Sequence, residues 1–524
     1  MRTWAATLLS SIGLGLLSPL AQAASCESLS SLSLPHTRIL SVESVAAGAF
    51  QPPATAQRLP PGFAPVDYSH LPAFCRVQAS ARPSSDSDIR IEVWLPVASA
   101  WNGKLRGTGN GGLGGGTGAS PRALAQAMGL GYATTGTNTG HQGDSSYAVE
   151  HPEQIKDFGY RSAHEMTVTA KALIQAYYGR APTLSYMAED GGGTIAALSE
   201  AQRYPADYDA IAATGMASYL THHVFGQMWM WMAMHATPAS VLPQAKLAAL
   251  HQAALIACDA ADGLKDGIIG DPEHCHFDPI VTRCKGSDTA DCLSAAQVAA
   301  ARKIYRGPHN PRTHAQIYSP MYPGSELGWG LLAGGDKPLG IPVDFFRYYV
   351  FRDPKWDYHT RPINFDNDVA LADSSRNAPV NAVDPDLNAF FDHGGKLVLI
   401  GGWNDNQVPP AVAVNYYRAV LAKLGRHKVQ QSMRFFMIPG AQHGPGMRGP
   451  ENFDFDALAL LTRWREEGVA PDELTVTHYR DGQAVGRRLV CQYPLIAYYN
   501  GSGDTEDPSS FHCARSASEH PAAH

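Results

Sequence analysis

The stretch YMAEDGGGTIAALSEAQRYPADYDAI, Tyr186 to Ile211, decides how the chain is read. Its first residues suit a short strand, three consecutive glycines follow, and a helical segment runs on until RYPADYDAIAATG, which reads as the next strand. A strand that turns sharply into a helix is how many hydrolases raise a nucleophile above their sheet. The middle of this turn, where a serine is expected, is Gly191.

The same alternation extends on both sides. IRIEVWLPV at 89–97 alternates like a strand, KLRGTGNGGLGGGTG reads as a strand opening into a glycine loop, and GYATTGTNTGH as a further short strand. Met166, Ala170, Leu173, Ile174 and Tyr177 recur at helical spacing before LSYMA returns to a strand. Strands alternating with helices predict an α/β sheet with parallel strands. The alternation stops near Met216 and resumes near residue 390 with GGKLVLIGGWND, AVAVNYYRAVLAKLG and SMRFFMIPGAQHG. Residues 24–215 and 390–524 are therefore assigned to one catalytic domain. Residues 216–389, rich in Trp, Met, Gly and Pro, form an inserted lid.

The chain has 524 residues, 44% hydrophobic and 17% charged, enough to bury a large core. A net charge of −7 with scattered basic residues argues against nucleic acid as a partner. Residues 1–23 have an early Arg, an apolar run and AQA before Ala24, the parts of a cleaved signal peptide, so a secreted or periplasmic protein without a membrane span is expected. All eight cysteines follow that point, and export favours disulfides. Neighbourhood in sequence suggests Cys26 with Cys75, Cys258 with Cys275, Cys284 with Cys292, and Cys491 with Cys513. Neither CxxC nor HExxH spacing occurs, which disfavours zinc.

Two candidate catalytic residues stand at strand ends. Asp405 follows KLVLIGGWN and His443 follows RFFMIPGAQ, in the chain order nucleophile, acid, histidine. Asp405 would fix one imidazole tautomer while the other ring nitrogen serves as general base and then general acid. The glycine loop at 107–116 offers Gly111 and Gly112 as oxyanion donors, joined by Gly192 at the start of the helix. Thr194 and Ser199 lie inside that helix, where packing and backbone hydrogen bonding suit them better than nucleophilic attack.

With GNGGLGGG, TNTGHQG, HPEQIKDFGYRSAHEMTVTAKALIQAYYG, SEAQRYPADYDAI, CDAADGLKDGIIGDP, FRDPKWDY and GWNDNQVPP in this order, the sequence resembles the tannase and feruloyl esterase family. That family of secreted α/β-hydrolases includes the hydrolase of mono(2-hydroxyethyl) terephthalate. The resemblance implies an α/β-hydrolase sheet with a large inserted lid and hydrolysis of aromatic-acid esters through a serine acyl-enzyme. The family's turn reads GCSxGG, with a disulfide from its cysteine to one directly after the catalytic histidine. Aligned through SEAQRYP, the cysteine position is Asp190, the serine position is Gly191, and Gly444 follows His443. Three readings of Gly191 stand side by side: a serine replaced by construction; a non-hydrolytic relative that binds an aromatic ester or acid; or a hydrolase using another group, such as a water activated by His443, or Asp190 or Glu189.

Asp259, Asp262 and Asp266, with glycines at 263 and 267, are hard oxygen donors close in sequence and suit a structural Ca²⁺. The resemblance adds the carbonyls of Leu264 and Ile268. A small aromatic ester is the expected partner, bound against lid side chains such as those of MWMWMAMH or GWGLLAGG, although such stripes are more often core. Arg347, Arg352 and Arg361 are candidates for a substrate carboxylate, and His222 and His223 receive no catalytic role.

Overall fold

A computed structural model describes residues 25–53, 66–109, 113, 120–444, 451–480 and 482–516. The signal segment and the oxyanion candidates Gly111 and Gly112 lie outside these residues. Among the described residues nine strands form the main sheet: β1 Thr37–Val45, β2 Phe74–Ala81, β3 Ile89–Pro96, β4 Leu105–Gly107, β5 Ala133–Thr137, β6 Ser185–Asp190, β7 Ala210–Thr214, β8 Lys396–Gly402 and β9 Met433–Ile438. Their spatial order is β1-β2-β3-β5-β4-β6-β7-β8-β9.

Only the later part of the sheet is parallel. Strands β5, β4, β6, β7, β8 and β9 run parallel to their neighbours, whereas β1, β2 and β3 pair antiparallel and β3 joins β5 antiparallel. The parallel expectation holds where helices separate the strands: α1 Pro121–Gly129 between β4 and β5, α2 Ser162–Tyr178 between β5 and β6, and α3 Thr194–Arg203 between β6 and β7. Residues 82–88 between β2 and β3 leave no room for a crossover helix, so those two strands pair as antiparallel neighbours.

The central strands are apolar throughout because helices cover both faces. Met187, Ile211, Leu399 and Phe435 point to one side, into a core with Leu198 of α3 and Val414. Tyr186, Ala212, Val398, Ile400 and Phe436 point to the other, against Leu461 and Trp464. The alternation along each strand splits one apolar run between two cores.

Between Thr214 and Lys396 the chain adds no strand to this sheet. It forms α4 Leu220–Met234, α5 Gln244–Cys258, α6 Ala295–Arg306 and shorter turns around two further cores, one containing Phe225, Phe345, Phe346 and Tyr349, the other Met234, Leu247, Ala301 and Trp329. Every residue of α4 except Met232 is buried, so the Trp and Met stripe of MWMWMAMH is core, and Trp329 of GWGLLAGG is fully buried too. After β9 come α7 Ala457–Glu467 and a separate three-stranded antiparallel sheet, β10 Glu451–Asp454, β11 Glu473–Arg480 and β12 Gln483–Cys491.

All four expected disulfides are present. Cys26–Cys75 ties the N-terminal turn to β2, Cys258–Cys275 closes the acidic loop after α5, and Cys284–Cys292 closes a short lid loop. Cys491–Cys513 ties the end of β12 to the last strand, Phe511–Arg515. Among the described residues no helix is long and apolar enough to cross a membrane.

Candidate active site

The site is built where β6, β7, β8 and β9 end. Strand β6 finishes at Asp190, a 3-10 turn covers Gly191–Gly193, and α3 begins at Thr194. Gly191 adopts φ +49°, a left-handed conformation that glycine enters freely and other residues enter at a cost. The turn is pinned from below: the Thr194 hydroxyl donates to the Gly191 carbonyl at 2.6 Å and accepts the Ala217 N–H at 3.1 Å. Ser199 donates to the Gly159 carbonyl. Both hydroxyls are buried and occupied in backbone bonding, as expected.

Two loops from the far side of the sheet converge on this turn. The Asn404 N–H donates to the Ala441 carbonyl at 3.0 Å, lacing the loop after β8 to the loop after β9. Asp405, 2% exposed, accepts the Gln407 and Val408 N–H groups on Oδ1 at 2.9 and 2.8 Å. Its Oδ2 lies 2.9 Å from His443 Nδ1. With Nδ1–H donating to the carboxylate, Nε2 is free to face the turn. A side chain at Gly191 would place its Cβ 2.9 Å from that Nε2. The dyad is thus aimed at the position a nucleophile would occupy, and the ring stands close to where a side chain at residue 191 would begin. Gly215, φ +58°, is a further requirement of the corner, since a Cβ there would lie 3.1 Å from the His443 ring.

Two acidic side chains, Asp405 and Asp190, act on the His443 ring. Burial acts to lower the His443 pKa, but Asp405, by charge and hydrogen bond, and the charge of Asp190 outweigh it, so the net shift is upward. Burial raises the Asp190 pKa against the opposing pull of His443. Burial carries Glu189 to about 8, with the Gly109 N–H and Arg106 pulling it down and Asp190 pushing it up, so its carboxyl is neutral at pH 7. A Cβ on Gly109 or on Gly193 would come within 2.8 or 2.7 Å of Glu189 Oε2, so this side chain has room only because both neighbours are glycine.

Gly192 is the middle residue of the turn, directly after Gly191. His222 is held by the Ile317 carbonyl, Asp373 at 2.8 Å and Tyr219 at 2.9 Å, away from any catalytic geometry. His223 is different. It is buried beside the dyad, and burial together with the His443 charge pushes its pKa down to about 4 against the pull of Asp405, keeping it neutral and unable to compete as base. Neighbouring histidines in a Trp- and Met-rich helix gave no sign of this. Only the α4 packing brings His223 to the site. Arg347 pairs with Asp344 at 3.4 Å and Arg361 lies 3.8 Å over the Phe351 ring, while Arg352 adopts φ +52° at an exposed position.

The acidic loop after α5 uses its carboxylates to cap its own backbone: Asp259 accepts from Gly267, Asp262 from Leu264, and Asp266 from Ile268, each at 3.1 Å. Burial, with the charges of Asp266 and Asp259, raises Asp262 to about 7, and buried Asp259 Oδ1 has no partner. Such mutual repulsion around an orphaned oxygen fits a divalent cation. The three carboxylates do not all approach within 4.8 Å of one another, and Arg488 occupies Asp266 Oδ2 at 2.8 Å. The loop also underlies the catalytic corner, because the Ile268 side chain packs where a Cβ at Gly440, three residues before His443, would stand at 3.3 Å.

The family model for tannase and feruloyl esterase matches residues 75–514. The chain belongs to the tannase and feruloyl esterase family. An uncharacterized esterase of Xanthomonas campestris pv. campestris is 36% identical over 97% of this chain and 94% of its own length. A probable feruloyl esterase B-2 of Neosartorya fischeri is 30% identical over 84% of this chain and 86% of its own. Among solved structures, feruloyl esterase B from Aspergillus oryzae superposes with TM-score 0.81 at 28% identity, covering 93% of this chain and 99% of that one. A tannin acyl hydrolase from Aspergillus niger, 18% identical with TM-score 0.72 over 92% of each chain, shares the fold. Against the turn pattern GCSxGG that the resemblance implies, residues 189–194 differ at Glu189, Asp190, Gly191 and Thr194 and agree at Gly193.

Proposed function

We propose that the chain is an aromatic-acid ester hydrolase of this family whose nucleophile position is vacant, the lid at 216–389 selecting the acyl group. The observation that carries the reading is the Asp405–His443 pair, whose Nε2 stands 2.9 Å from the Cβ position of residue 191. With a serine there, His443 takes the hydroxyl proton as the oxygen attacks the ester carbonyl. It then returns that proton to the departing alcohol, and a water repeats the sequence to release the acid. The backbone N–H of Gly192 supports the oxyanion, with Gly111 and Gly112 as the proposed donors from the glycine loop. A Ca²⁺ held by Asp259, Asp262, Asp266 and the carbonyls of Leu264 and Ile268 would brace the loop beneath Gly440. The eight half-cystines and the leader-like residues 1–23 support export.

A second reading has its own observation. His443 between Asp405 and Asp190 has a raised pKa, which favours an imidazolium whose Nε2–H faces the vacant corner and suits capture of an aromatic carboxylate rather than its release from an ester. One experiment separates the two. The chain and its Gly191→Ser form are assayed on methyl gallate, methyl ferulate and a terephthalate monoester. Hydrolysis rising at least a thousandfold with the serine supports the first reading, that being about the scale on which a missing triad nucleophile is felt. No hydrolysis by either, with tight binding of the free acids, supports the second. Efficient turnover by the glycine form would overturn both.

A further inference from the structure

A cavity lies away from His443, in the inserted region. It encloses about 550 Å³ between α4, α6 and the turn at 280–283, within the range of small-molecule sites. Its floor is apolar, formed by Trp229, Ile280 and Val298. Its rim carries Arg283, Arg302, Lys303, Arg306 and His309, and among the described residues no carboxylate lines it. In a chain of net charge −7 this clustering is local, not compositional.

The cations differ in what they already hold. Arg302 makes a two-pronged pair with Asp278 at 2.8 and 2.6 Å, so its charge is answered. Arg283, Lys303 and Arg306 make no ion pair among the described residues. The Lys303 ammonium sits 4.5 Å over the Trp229 ring, and burial with no opposing carboxylate lowers its pKa. A half-buried ammonium without a counter-ion is costly unless something negative joins it. The indole N–H is spent on the Lys303 carbonyl at 2.8 Å, so Trp229 offers this cavity only an apolar surface.

We propose that this basin is a second binding site, specific for small aromatic carboxylates, with the ring against Trp229, Ile280 and Val298 and the carboxylate between Lys303, Arg306 and Arg283. The apolar floor separates this ligand class from bare inorganic anions, and the unpaired cations separate it from neutral esters. The site is distinct from the catalytic corner but connected to it. Trp229 also lines the narrow crevice that contains His223 and Gln407, and His223 lies six residues earlier on the same helix, about 9 Å along its axis. The inference does not depend on the chain being a hydrolase.

The test is calorimetric titration of the full chain with 4-hydroxycinnamate, its methyl ester and inorganic phosphate. It is repeated on the Arg283→Gln/Arg306→Gln double variant and on His443→Ala. Both arginines are exposed, and unchanged melting of the double variant serves as the folding control. The expected result is a carboxylate site that persists in His443→Ala, weakens about tenfold or more in the double variant, as loss of two charge-assisted contacts predicts, and is not filled by the methyl ester. Phosphate binding as tightly as the aromatic acid would reduce the basin to a charged patch and overturn the proposal. So would acid binding that survives the double variant or vanishes in His443→Ala.

Discussion

The two halves of the candidate catalytic corner are built on different terms. The Asp405–His443 half draws on two loops 38 residues apart, laced by backbone hydrogen bonds, with Asp405 locked by two N–H donors and Gly215 cleared for the ring. The nucleophile half is three neighbouring residues, Glu189, Asp190 and Gly191, that place two carboxyls where the family pattern has a glycine and a cysteine, and nothing where it has a serine. The long-range half needs many parts to agree, whereas the local half can be rewritten within one turn. Glu189 is accommodated by Gly109 and Gly193, and Gly191 relieves the strain of φ +49°. The difference teaches that a hydrogen-bonded Asp–His pair can be fully assembled beside a turn position that carries no side chain.

The sharpest way to break this comparison is to ask whether the assembled half works. In the Gly191→Ser form, His443→Ala and Asp405→Asn are each expected to cost about ten-thousandfold or more in kcat/KM, the scale seen where triads have been dissected. Equal activity with and without His443 would mean that the pair is structural. Next in size is Glu189. Its carboxyl titrates near 8 in the fold against 4.5 ordinarily, so the folded chain holds a proton that the unfolded chain releases. Its contribution is therefore fully present below pH 4.5 and is lost as pH rises through 8. Glu189→Gln should raise Tm by several degrees at pH 8 and hardly at all at pH 4, read by thermal melts across that range. Equal shifts at both pH values would deny the neutral buried carboxyl.

A smaller effect connects the acidic loop to the corner. Chelation by EDTA should lower Tm by a few degrees, restored by Ca²⁺ and not by Mg²⁺, as expected when a ligand binds only the folded state. Elemental analysis finding no calcium, with Tm unmoved, would remove the ion from this account and leave the loop capped by its own backbone. The smallest effect expected is that of Asp190→Asn. Removing a negative charge that raises the His443 pKa should move the acidic limb of the Gly191→Ser pH–rate profile downward by about one unit or less. A shift in the opposite direction would show that Asp190 does not act on the ring through its charge.

Much of the fold was legible because burial imposes periodicity. The buried strands β6 to β9 and the helices between them are short apolar runs and 3.6-residue patterns bounded by glycine, so their order and type can be read directly. Asp405 and His443 were legible for a related reason, since each follows such a strand and a strand end is where side chains leave the sheet. The antiparallel pairing of β1, β2 and β3 was not, because alternation says nothing of strand direction. His223 was not legible either: its neighbour His222 has the same residue type and the same helix, and only helix packing decides that one ring meets Asp373 while the other meets Tyr318 within electrostatic reach of Asp405 and His443.

The sequence by itself determined the family, the alternating elements, the four cysteine pairs and the glycine at residue 191, all of which depend on residue identity and order along the chain. Tertiary structure alone decided that Glu189 is enclosed between two glycines and stays neutral, that the Nε2 of His443 is aimed at Gly191, and that unpaired cations meet an indole in the inserted region. These last properties are distances between groups remote in sequence, and desolvation and Coulomb energies depend on those distances.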